Sequence, residues 1–173
     1  MVVETSTKDF AAAIKVLSQM PNVIARIMKQ FKDLERVKLS NDTFSILEHA
    51  CHLRDLEKEG YLIRIKKILA QTNPFLANFE GDKIALERDY NNQNPQIALD
   101  DFKSARQESI ERLKSLTPEH LKRTGELEAV GTINLEDLMR LMLEHDKSHL
   151  EELEELAEKL SEKTKTLVDG VSR

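Results

Sequence analysis

Across residues 135–160 apolar side chains recur at heptad-like intervals, at Leu135, Met139, Met142, Leu153, Leu156 and Leu160. Such spacing fits a long α-helix that buries one stripe. The stripe is interrupted. His149 and Asp146 occupy seam positions, and His145 lies at the seam's edge. Two histidines four residues apart project from one helical face, with Cβ atoms about 6 Å apart. Burying them beside a carboxylate is costly unless each is hydrogen-bonded, paired or coordinated to a cation. Two readings follow. Either the histidines are packed and satisfied by a neighbouring helix, or they are two ligands of one metal ion. Asp146 then either orients a ligand or binds an arginine from another helix.

Three further helical stretches precede this one. Phe10, Ala13, Ile14, Leu17, Ile24, Ile27, Met28, Phe31 and Leu34 give a helical period over residues 7–37, with Pro21 predicting a kink or two short helices. Ser40, Asn41, Asp42 and Thr43 are capping residues for a second helix over residues 43–71, which carries His49 and His52. Asn94 caps a third, with Pro95 at its first position and Leu99, Phe102, Ala105, Ile110, Leu113 and Leu116 along one face. The fourth begins near Asn134, after Gly131-Thr132-Ile133, and runs to about Lys163, leaving residues 164–173 as a frayed tail. No strand-like alternation of any extent is evident. The expected fold is all-α, a four-helix bundle in a single domain with its core over residues 7–163.

Between the second and third helices lies a long connection, residues 72–94, with Asn73-Pro74, Gly81 and Asn91-Asn92-Gln93-Asn94. It is either a structural crossover or, through Arg88 and Tyr90, a cover for a site.

The composition narrows function. With 31 acidic and 26 basic residues the net charge is -5, and no basic stripe suggests a nucleic-acid partner. The chain has 5 glycines and 4 prolines, as suits helices. No apolar run reaches membrane-spanning length. The single cysteine, Cys51, cannot pair within the chain, and no signal-type segment begins it, so a reducing, cytoplasmic setting is expected. Cys51 itself reads as a small core residue.

A catalytic divalent ion needs more than two imidazoles, and a third should come from a facing helix. His49 and His52 are the candidates. Their separation of three residues puts them about 60° apart around the axis, and periodicity does not choose between them. His52 has Glu48, Asp55 and Glu59 at turn spacings, whereas His49 has Leu53 and Leu56. His120, in Thr117-Pro118-Glu119-His120, reads as a solvated loop histidine.

Three places together resemble the DinB family of metal-binding bundles: Glu48-His49-Ala50-Cys51-His52-Leu53-Arg54-Asp55 within residues 43–57, Glu87-Arg88-Asp89-Tyr90-Asn91, and His145-Asp146-Lys147-Ser148-His149-Leu150. The resemblance spans residues 10–156. It implies His52, followed by Leu53 and then Asp55, as the first metal-binding histidine, with His145 and His149 completing the set. Glu48, Asp55 and Asp146 would be outer carboxylates that orient ligands or take a proton. Two positions depart from the family pattern, Phe44 where many relatives carry Trp and Glu152 where Gln is common. The resemblance further implies zinc or nickel, a small-molecule substrate, and in many members a homodimer; Leu153, Leu156 and Leu160 read as intramolecular core, with a dimer seam as the alternative. Characterised relatives include transferases and isomerases using low-molecular-weight thiols; others are assigned as metal-dependent hydrolases. Thiol transfer is the activity the resemblance favours, hydrolysis the alternative, and a non-catalytic metal-binding bundle the competing class.

Overall fold

In the computed structural model, the backbone is described for residues 7–171 and the side chains for residues 10–165. Helix α1, Thr7–Gln30, runs without a break through Pro21. Proline has no N–H to give the carbonyl four residues back. Here that carbonyl, Leu17 O, accepts instead from Arg106 Nη1 at 2.9 Å. Of the two expectations at Pro21, a kink or two short helices, the second is not met. The helix also ends before residue 37, and turns follow in which Asp33 takes a left-handed φ of 70°.

Helix α2, Ile46–Asp55, starts at Ser45 and not within residues 40–43. Ser45 Oγ accepts from Glu48 N at 3.1 Å and Glu48 Oε2 accepts from Ser45 N at 2.8 Å, a reciprocal capping box. A π-helical segment, Leu56–Tyr61, joins α2 to α3, Leu62–Ala70, in one rod. Such bulges turn successive side chains and are frequent at functional sites. The crossover then holds a short strand β1, Phe75–Leu76, helix α4, Gly81–Glu87, and a 3-10 turn, Tyr90–Asn92.

Helix α5, Pro95–Lys114, begins as expected, with Asn94 Oδ1 accepting from Gln96 N and Ile97 N. A one-turn helix α6, Pro118–Leu121, precedes strands β2, Thr124–Leu127, and β3, Gly131–Asn134. These strands correct the expectation of a strand-free chain. β2 pairs parallel to β1 and antiparallel to β3 in a three-stranded sheet. Strands of two to four residues are too short to show alternation. Helix α7, Leu135–Val171, follows, capped by Asn134, which exchanges hydrogen bonds with Asp137. It extends past Lys163. The backbone of residues 164–171, expected as a frayed tail, is helical; residues 172–173 and the side chains beyond Lys165 lie outside the described residues.

The result is a four-helix bundle of α1, α2–α3, α5 and α7, with the long crossover joining the second rod to α5. α5 and α7 stand at opposite corners, each packed against both α1 and α2. The apolar core falls into two parts, one around Ile24, Leu47, Phe102 and Leu153, the other around Leu17, Ile65, Leu113 and Met142. A polar layer lies between them. Its centre is Arg106, 2% exposed, which binds Glu57 Oε2 at 2.8 Å and crosses the bundle to Asp146. The histidines of α7 sit on this same level of the helix.

Candidate metal centre

The gap in the α7 seam is filled by the rod opposite. His52 projects from α2 so that its Nε2 lies 3.1 Å from His145 Nε2, which lies 3.1 Å from His149 Nε2. All three rings offer a nitrogen to one point, within 4.8 Å of each other. Two nitrogens on one tetrahedral zinc, at 2.0–2.1 Å from it, stand about 3.3 Å apart. The two separations from His145 Nε2 match that edge.

Proton supply favours the same reading. Burial first, then His52 and the Arg106 guanidinium, push His145 down to about 3, and burial followed by the neighbouring imidazoles pushes His149 down to about 2. Burial holds His52 at about 4, although Asp82 and Asp55 act to raise it. At neutral pH the three rings are uncharged and carry lone pairs, the form that binds a cation. Three neutral imidazole nitrogens turned on one another cannot all be satisfied by one another's protons. The donor set fits a divalent ion.

Walls are added by the crossover and the α2 cap. Gly81 packs so closely that a Cβ there would stand 2.5 Å from His52 Cε1, and Phe79 lies edge-on to His52 at 5.9 Å between centroids. Phe44 stacks parallel to His149 at 6.5 Å and edge-on to His49 at 5.5 Å. Beside them opens a cavity of ≈ 580 Å³ whose lining includes His49, His52, His149, Phe44, Asp82 and Glu152, together with Asp42, Glu155 and Lys159. Space of that size suits a small molecule.

The family model of the DinB superfamily matches residues 16–153, a span that takes in all three of these histidines. The chain belongs to the DinB superfamily. Its fold is similar to that of YfiT from Bacillus subtilis, described as a probable metal-dependent hydrolase with an unusual four-helix bundle topology. That likeness has a TM-score of 0.83 over 93% of each chain, at 20% identity, and it shows the fold. No curated protein matches significantly.

For this DinB protein the three outer carboxylates expected from sequence turn away from the histidines. Glu48 is held by its capping box and by Lys38 Nζ at 3.2 Å. Asp55 accepts from Arg54 Nε at 2.6 Å, Arg88 Nη1 at 2.7 Å and Tyr90 Oη at 2.8 Å. Burial acts to raise its carboxyl, but these donors outweigh it and hold the group below the usual carboxylate range. Through Arg88 and Tyr90 it anchors the crossover. Asp146 takes the arginine, with Nη1 of Arg106 2.5 Å from Oδ2 and Nη2 3.0 Å from Oδ1.

His49 and His52 both face inward, His49 with Nδ1 2.8 Å from His149 Nδ1. Asp82 and Glu152 are among the carboxylates that line the cavity. Glu152 Oε2 stands 3.8 Å from His49 Nε2, and burial raises its pKa. The (i, i+3) spacing of His149 and Glu152 was visible in the sequence; nothing local marked Asp82 or Gly81. Cys51 is buried with its thiol pushed up to about 11, chiefly by burial, so it is an unreactive core residue. His120 caps α6, its Nδ1 accepting from Thr117 N at 3.2 Å. Leu153, Leu156 and Leu160 are buried in the core of the bundle, as the core reading expected. Among the described residues no helix is long and apolar enough to cross a membrane.

Proposed function

We propose that this DinB protein is a divalent-metal-dependent enzyme that acts on a small molecule in the cavity beside His52 and His149, with His52, His145 and His149 as ligands and water as nucleophile. The observation that carries it is the convergence of three uncharged imidazole nitrogens, at 3.1 Å between neighbours, beside an open cavity. Zinc suits a set of three nitrogens with a position left open. A divalent ion held there supplies Lewis acidity, enough to make water or a small thiol nucleophilic near neutral pH. The hydrolase description of YfiT supports the choice of water.

The chain's own residues contribute the rest. Phe44 and Phe79 shield the rings, and Asp55 holds the crossover over His52 by way of Arg88 and Tyr90. Glu152, its carboxyl raised by burial, is placed to take and return a proton at the cavity wall. The thiol transfer implied by family resemblance would use the same three nitrogens. Against it stand Asp42, Asp82, Glu152 and Glu155 around the cavity, where among the described residues the one cation is Lys159, paired with Glu155 at 2.5 Å. That field disfavours a thiol cosubstrate bearing carboxylates.

Metal analysis of untagged protein tests the site. About one divalent ion per chain is expected, lost in His52→Ala, His145→Ala and His149→Ala. Full occupancy in any one variant removes that residue from the set. A panel of ester, amide and thiol-acceptor substrates, run on zinc-loaded and chelated protein, then separates hydrolysis from thiol transfer.

A further inference from the structure

The outer edge of the His149 ring is also in contact. Its Nδ1 lies 2.8 Å from Nδ1 of His49, a ring that is 1% exposed. Two lone pairs repel at that distance and two N–H groups collide, so one nitrogen carries the proton. Which one is decided by the other end of His149. For Nε2 to face the cluster as a lone pair, the His149 proton must sit on Nδ1 and be donated to His49. Neutral His49 then keeps its own proton on Nε2, on the side where Glu152 Oε2 stands 3.8 Å away. The opposite direction of donation would put a proton on His149 Nε2 and remove a ligand. By contrast, among the described residues Nδ1 of His52 and Nδ1 of His145 have no hydrogen-bond partner.

We propose that His49 is a positioning residue: by accepting from His149 Nδ1–H it fixes the tautomer and ring angle that present His149 Nε2 to the metal. Phe44, packed on both rings, holds the pair in register. The inference rests on the metal reading above. A partner at the far nitrogen of a ligand histidine typically changes metal affinity 10–100-fold.

Zinc affinity, measured by competition with a chromophoric chelator, tests this on wild-type protein, His49→Phe, His49→Asn and His52→Ala. His49→Phe should bind zinc about 10–100-fold more weakly. His49→Asn, whose Oδ1 falls near the place of Nδ1 and still accepts, should recover most of the loss. Unchanged affinity in His49→Phe, or equal losses in His49→Phe and His49→Asn, would overturn the proposal. So would full loss of zinc in His49→Asn with retention in His52→Ala, which would make His49, His149 and Glu152 the ligands. The second readout needs no metal. Long-range ¹⁵N–¹H spectra of the wild-type imidazoles should show the His149 proton on Nδ1 and the His49 proton on Nε2; the reverse overturns the assignment. Wild-type protein that binds no zinc fails the metal reading itself, while the tautomer spectra still decide the direction of donation between His149 and His49.

Discussion

Arg106 grips both carboxylate oxygens of Asp146, at 2.5 and 3.0 Å, one residue along α7 from His145. The same guanidinium binds Glu57 in the π segment and Leu17 O beside Pro21. One side chain therefore ties α1, the α2–α3 rod and α5 to the level of α7 that carries the histidines.

Removing it strands two carboxylates in the core. Glu57 is already raised by burial, against the pull of Arg106. Breaking a buried ion pair from one side costs about 3–5 kcal/mol. Arg106→Met should lose that much stability in urea unfolding, and the further changes Glu57→Leu and Asp146→Leu in the same chain should recover most of it. A loss under about 1 kcal/mol would mean that water replaces the guanidinium.

Gly81→Ala addresses the site with little effect on the core. The new Cβ would sit 2.5 Å from His52 Cε1 and 2.9 Å from Nδ1, closer than real contacts allow. Either the imidazole or the start of α4 must move. Chelator competition should show zinc affinity reduced by at least about tenfold, the scale of a disturbed ligand orientation. Unchanged affinity would show that the crossover yields and the ring does not.

Acid should find Asp55. Its folded pKa lies below the ordinary value, so its stabilisation is complete above about 3.8 and is lost as pH falls through the lower folded value. Asp55→Asn should be less stable than wild type by about 2–3 kcal/mol near neutral pH, the worth of hydrogen bonds to a charged group. That gap, from denaturant unfolding at a series of pH values, should stay constant down to about pH 5 and narrow below about pH 4. A gap that persists undiminished to about pH 2 would place the stabilisation elsewhere.

Pro21→Ala should gain little. An uncompensated proline inside a helix costs about 3 kcal/mol, part of it the orphaned carbonyl. Since Leu17 O already accepts from Arg106, thermal and urea unfolding should show a gain of about 1 kcal/mol or less.

The amino-acid pattern alone settled what depends on near neighbours. Helical spacing of apolar residues marked the four long helices, Asn94 and Asn134 marked two of their starts, and the four-residue step placed His145 and His149 on one face. Each rests on contacts within about one turn, where residue identity and backbone geometry are tied directly. The tertiary structure decided what depends on partners far along the chain. Asp146 and Arg106 are 40 residues apart, His49 and His149 are 100 apart, and no local signal says which will meet. The carboxylates beside the histidines in sequence were thus drawn to arginines and a helix cap, while the groups that surround the site came from other helices and the crossover. The three strands stayed hidden for the same reason: each is too short to hold its pattern except against the next. Charge and hydrogen-bonding capacity belong to residues, but which of them cancel is set by packing.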